Sequence, residues 1–131
     1  MKTSELTGQA LDYAVAKCEG GTNLRFDTVA TYWVTLDGKD RALSKGWAQS
    51  FTPSTNWAQG GPIIKQERIA IDVEHGDLWR ARFGRARITF DGRAHHYHHQ
   101  EGSTPLIAAM RCYVSSKLGD EVDIPKELLN V

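Results

Sequence analysis

The chain has 131 residues, 40% hydrophobic and 24% charged, a length that suits one compact domain and a composition that argues against disorder. Sixteen basic residues balance sixteen acidic ones, so the excess positive charge behind non-specific nucleic-acid binding is missing and nucleic acid is not an expected partner. Near-zero charge permits self-association, so a homo-oligomer is one expectation, and the lack of an apolar run of about 18 residues or a leader predicts a cytoplasmic protein without a membrane partner.

The first element reads as a helix. Thr7 stands at the N-cap, where its hydroxyl can accept from an orphan amide. Leu6 and Leu11 take the positions of a hydrophobic staple. Ala10, Leu11, Ala14, Val15 and Cys18 follow the rhythm of one buried face, and Gly20-Gly21 stops the helix. Residues 29 to 36 then read as a strand, followed by the turn dipeptide Asp37-Gly38.

Residues 39 to 66 carry few strand or helix signals and read as a long, shaped loop. Its centre, Pro53-Ser54-Thr55-Asn56-Trp57-Ala58-Gln59-Gly60-Gly61-Pro62-Ile63-Ile64, combines a large ring, two glycines, two prolines and small polar side chains. Ser54 or Thr55 can cap a single helical turn ending at Gly60. Gly61 precedes Pro62, which favours an extended exit. Trp57 then hangs from a rigid turn, either plugging the core edge or walling a ligand or partner site. Trp47-Ala48-Gln49 echoes Trp57-Ala58-Gln59, and two copies are too few for a repeat architecture.

From Ile69 the pattern alternates through Ile71 and Val73 and breaks at Gly76. Strands follow at 78–83, 87–90 and 93–99, with the hairpin dipeptide Asp91-Gly92 between the last two. Arg80, Arg82, Arg85 and Arg87 surround Gly84; a bulge there would put them on one face. They form either a solvated strip balanced by acids or a weak phosphate-binding surface. His95, His96, His98 and His99 surround Tyr97. They are ordinary exposed histidines unless His96 and His98 share a metal with a third ligand such as Asp91 or Glu101.

The last third is helical, with Thr104 as cap, Pro105 at the first position and Gly119 as stop. Ile107, Met110, Val114 and Leu118 share its apolar face. Arg111 projects into the same arc. It either pairs internally with an acid such as Asp72 or Asp12, or lies at the floor of an anion-binding pocket. A final turn is expected over 126–129.

Cys18 and Cys112 have no metal or redox spacing and read as reduced core residues. Phosphate-loop, nucleophile-elbow and zinc-protease motifs are all missing, so no catalytic residue, metal or cofactor is assigned. A cysteine–histidine nucleophile has no local support.

Three segments together are distinctive: Leu6-Thr7-Gly8-Gln9-Ala10-Leu11-Asp12-Tyr13-Ala14-Val15-Ala16, the Pro53 to Ile64 stretch, and Thr104-Pro105-Leu106-Ile107-Ala108-Ala109-Met110-Arg111 through Lys117-Leu118-Gly119. In this the chain resembles the NinX-type family of small proteins from temperate bacteriophages. The resemblance implies phage or prophage origin and action in the bacterial host cytoplasm, and brings no reaction, ligand or catalytic residue.

The expected architecture is one α+β domain over residues 1–131: an antiparallel sheet of three to five strands with two main helices packed on one face. The leading functional expectation is a non-catalytic accessory protein that binds a host or phage macromolecule. Ser54, Asn56, Trp57, Gln59, Gly60, Gly61, Pro62 and Arg111 are its candidate contacts. The alternative is a binder of a small anionic ligand or nucleotide in a pocket near Arg111 and Trp57, and the third is a small enzyme of unknown class.

Overall fold

In the computed structural model, which describes residues 1–27, 31–83, 87–88, 94–95 and 99–129, the first helix, α1, spans Gly8–Cys18. Leu6 and Leu11 are both fully buried, as a staple requires, and each such side chain is worth about 1.5–3 kcal/mol of transfer free energy. Thr7 occupies the N-cap, but its hydroxyl makes no capping bond; its carbonyl accepts from Leu11 N–H at 3.2 Å. The far end closes as a Schellman motif. Gly21 N–H reaches Ala16 O at 2.7 Å and Gly20 N–H reaches Lys17 O at 3.1 Å, with Gly20 at φ 88°.

Strands β1 (Thr22–Phe26), β2 (Tyr32–Leu36) and β3 (Lys39–Ala42) form one antiparallel sheet in that order. Asp37 and Gly38 both have positive φ, 52° and 75°, and join Leu36 to its partner Lys39. This is the two-residue hairpin the dipeptide predicts, since its backbone twist matches that of the flanking strands. β1 and β3 were not expected. They carry charged, half-exposed side chains on outer strands, so neither shows a clean two-residue alternation.

The largest departure lies between residues 39 and 66. The reading of that stretch as a loop is corrected at both ends: it opens with β3 and closes with an eleven-residue helix, α2 (Trp57–Glu67), which runs through Gly60, Gly61 and Pro62. Asn56, not Ser54 or Thr55, is its cap, accepting from Ala58 N–H at 2.9 Å. Two details make the helix tolerable. The clash that bars a pre-proline residue from helical geometry involves its Cβ, which Gly61 lacks. Gly60 lets α2 approach its neighbours so closely that an added Cβ would lie 2.6 Å from both Pro53 O and Leu106 Cδ2.

A second sheet is built from β4 (Ile69–His75), β5 (Leu78–Phe83) and β8 (Gln100–Gly102), in the order β4-β5-β8. Along the chain, β5 and β8 are separated by a two-stranded ribbon, β6 (Arg87–Ile88) with β7 (Ala94–His95). The Asp91-Gly92 turn expected between them, with Gly84, Arg85, His96, Tyr97 and His98, falls outside the described residues.

Helix α3 (Pro105–Leu118) has the ends its signals predict: Thr104 Oγ1 accepts from Ile107 N–H at 3.1 Å, and Gly119 follows at φ 89°. It packs on α1, α2 and all three strands of the second sheet. Leu106, Ala109, Cys112 and Tyr113 are therefore buried along with Met110 and Val114, whereas of the other two residues of the expected stripe Ile107 is half-buried and Leu118 is exposed. Gly102 allows β8 to lie against it, since a Cβ there would stand 2.7 Å from Ala108 N. The class is α+β, with the antiparallel strands divided between two three-stranded sheets and the β6–β7 ribbon, and a third helix, α2, joining the expected pair. Lys126–Leu128 forms the short closing turn.

Candidate functional site

The entrance to α2 is pinned from several sides. Asp12 on α1 is 3% exposed, and its Oδ1 accepts the Ser54 amide at 2.8 Å. Burial pushes the Asp12 carboxyl up to about 6, opposed by the Ser54 amide and hydroxyl and by the charge of Lys45. The Ser54 hydroxyl is itself buried without a well-aligned hydrogen bond of its own. Gln59 reaches back from the first turn of α2: its Oε1 accepts from Thr52 N–H and its Nε2 donates to Ser50 O, both at 2.6 Å. The preceding loop is tied to β3 by Phe51 N–H to Ala42 O at 2.7 Å and by the Arg41 guanidinium on the carbonyls of Gln49 and Ser50, both at 3.0 Å.

On this stiff frame Trp57, the first residue of α2, is 56% exposed. The ring does not plug the core. It borders two clefts. One, of about 280 Å³, runs between Ser54–Thr55 and the start of α3 at Thr104–Ile107. The other, of about 410 Å³, is lined by Trp57, Asn56 and Thr55 on one side and by Lys45, Trp47 and Ser50 on the other. Trp47 is 42% exposed and braced edge-on by Trp33, ring centres 5.4 Å apart, while Trp33 Nε1 donates to Asp27 Oδ2 at 2.6 Å.

The eight candidate residues thus separate by what they touch. Trp57 and Asn56 face the clefts. Ser54 lines one and carries the Asp12 tether. Gln59 and Gly60 build the frame, and Gly61 and Pro62 continue the helix behind it. Arg111 stands apart from all of them, in a third cleft of about 700 Å³ lined with Ser4, His75, His99 and Ser103. The expected ion pair with Asp72 or Asp12 does not form. Arg111 Nε donates to Leu6 O and Nη1 to Glu101 O, both at 2.8 Å, because those backbone ends converge on α3 while Asp72 faces Arg82 at 3.3 Å.

Within the arginine strip Arg80 lies 3.0 Å from Glu74 and 3.7 Å from Glu101, and Arg82 lies 3.3 Å from Asp72, as on a face balanced by acids; Arg85 and the Arg87 side chain fall outside the described residues. Among the described residues no three histidine, cysteine or acidic side chains gather as a metal site would require. Cys18 and Cys112 form no disulfide, and burial pushes both thiols up to about 12, with the Glu19 charge adding to the effect at Cys18. Neither is a ready nucleophile.

Sequence reasoning overlooked Trp47 and Lys45 as wall residues. The one available signal was the echo of Trp47-Ala48-Gln49 in Trp57-Ala58-Gln59, and the fold places both tryptophans on one cleft. Among the described residues no helix is long and apolar enough to cross a membrane.

Residues 2–117 match the family described as "Bacteriophage P22, NinX". No curated protein matches the chain.

Proposed function

The chain belongs to the NinX family of bacteriophage proteins, and from that premise we propose that it is a non-catalytic phage accessory protein that binds a protein partner in the host cytoplasm through the face around Trp57 and Trp47. The observation that carries this reading is the exposure of both rings, 56% and 42%, across one cleft on a hydrogen-bonded frame. Tryptophan delivers large contact area at low entropic cost, and a rigid frame lowers the ordering cost of binding further. Ser50, Thr52, Thr55 and Asn56 supply neutral hydrogen-bonding groups beside the rings, with Lys45 as the cleft's charged side chain. That lining suits an extended polypeptide better than a phosphate backbone, which needs a run of cations.

The test is co-purification from phage-infected cells, followed by titration of the purified partner against wild type, Trp57→Ala and Trp47→Ala. A central anchor truncated to alanine should weaken binding by about thirtyfold or more, with melting temperature little changed because both rings are exposed. A partner bound equally well by all three proteins, or no stoichiometric partner at all, refutes the reading.

A further inference from the structure

Arg111 holds a charge that its contacts orient without cancelling. Its two acceptors, Leu6 O and Glu101 O at 2.8 Å each, are neutral carbonyls. A guanidinium has five N–H donors, so most of its donors remain for another oxygen. Acids on neighbouring elements are engaged elsewhere: the Glu101 carboxylate is directed to Arg80 at 3.7 Å, Asp72 to Arg82 at 3.3 Å and Asp12 to the Ser54 amide at 2.8 Å. Burial alone moves the Arg111 pKa, and it moves it down, as expected for a cation losing water without gaining a carboxylate.

The cleft around it measures about 700 Å³, within the range of small-molecule sites, and adds the hydroxyls of Ser4 and Ser103 and the imidazoles of His75 and His99. Two acids also line it, Asp77 at the β4–β5 turn and Glu101, whose carboxylate is turned to Arg80. We propose that this cleft binds a small phosphorylated molecule bearing hydroxyl groups, its phosphate on the Arg111 fork and a hydroxyl on Asp77. The planar fork matches two phosphate oxygens. Serine hydroxyls can take the others, and the carboxylates in the same cleft select a ligand that also carries donors over a bare anion.

The test titrates the full chain with ribose 5-phosphate, inorganic phosphate and ribose, by calorimetry and by ligand-observed NMR. Ribose 5-phosphate should bind saturably, inorganic phosphate more weakly and ribose not at all. Arg111→Lys keeps the charge but loses the fork. Ser4→Asp leaves Arg111 in place and sets a carboxylate in its cleft, so it decides the matter should the arginine variant fold poorly. Each should weaken ribose 5-phosphate by about tenfold or more, the loss of one charge-assisted contact. Trp57→Ala should bind it as wild type does, which separates this site from the tryptophan face. Absence of saturable binding, equal binding of ribose, or affinity unchanged in folded Ser4→Asp overturns the proposal.

Discussion

Asp12 Oδ1 accepts the Ser54 amide at 2.8 Å, buried, across 42 positions of chain. This bond fastens α1 to the segment that presents Trp57, and it places a carboxyl where water cannot solvate it. The group's ordinary value of 3.8 rises to about 6. Between those values the folded chain keeps a proton that the unfolded chain has released. Stability therefore falls as pH rises through that window, and the loss is complete above about pH 6. A rise of that size corresponds to about 3 kcal/mol. Asp12→Asn keeps an acceptor for the amide and removes the titration. Urea unfolding from pH 4 to 8 should show the variant gaining on wild type by up to that amount as pH rises. Parallel curves would mean that Asp12 is solvated.

Gly60 is one of the close contact points between α2 and the rest of the fold. A Cβ there would meet Pro53 O and Leu106 Cδ2 at 2.6 Å. The leucine can rotate; the backbone oxygen cannot. Gly60→Ala should cost about 1–3 kcal/mol, the usual range for overpacking, against the gain of up to about 1 kcal/mol that alanine brings to an unobstructed helix. Thermal melts measure the sign, and a more stable variant would rule out the close packing.

Gly61 and Pro62 should be coupled. In the native sequence Gly61→Ala introduces the Cβ that collides with the proline ring, so it should destabilise. In a Pro62→Ala background the collision is gone and the amide at 62 can bond to Ala58 O. The same Gly61→Ala change should then stabilise by about 0.5–1 kcal/mol. A double-mutant cycle reads the change of sign; simple additivity would contradict the helical path through these residues.

The thiols should be inert in the folded protein. With both pushed up to about 12 by burial, the thiolate fraction at pH 8 is on the order of 10⁻⁴. An aromatic disulfide reagent should modify neither Cys18 nor Cys112 quickly until denaturant is added, and then both. A single fast thiol in native protein would reopen nucleophilic chemistry.

Local signals determined the parts of this protein that depend on a few neighbouring residues. Thr104-Pro105 and Gly119 bound α3, Gly20-Gly21 ends α1, and Asp37-Gly38 makes the β2–β3 hairpin, because capping and positive φ are settled within one turn of chain. The family resemblance was equally legible, carried by short motifs. Tertiary structure alone decided that Gly60-Gly61-Pro62 is helical. Each of those residues opposes a helix by itself, and Ile63 buried behind them, with Gly60 seated on Pro53 and Leu106, outweighs that preference. Tertiary structure also carried Trp47 to the cleft beside Trp57, sank Asp12 beneath Ser54, and gave Arg111 two carbonyls in place of an acid. Those outcomes depend on which distant surfaces meet when apolar faces are buried, and the spacing of residues along the chain does not encode that meeting.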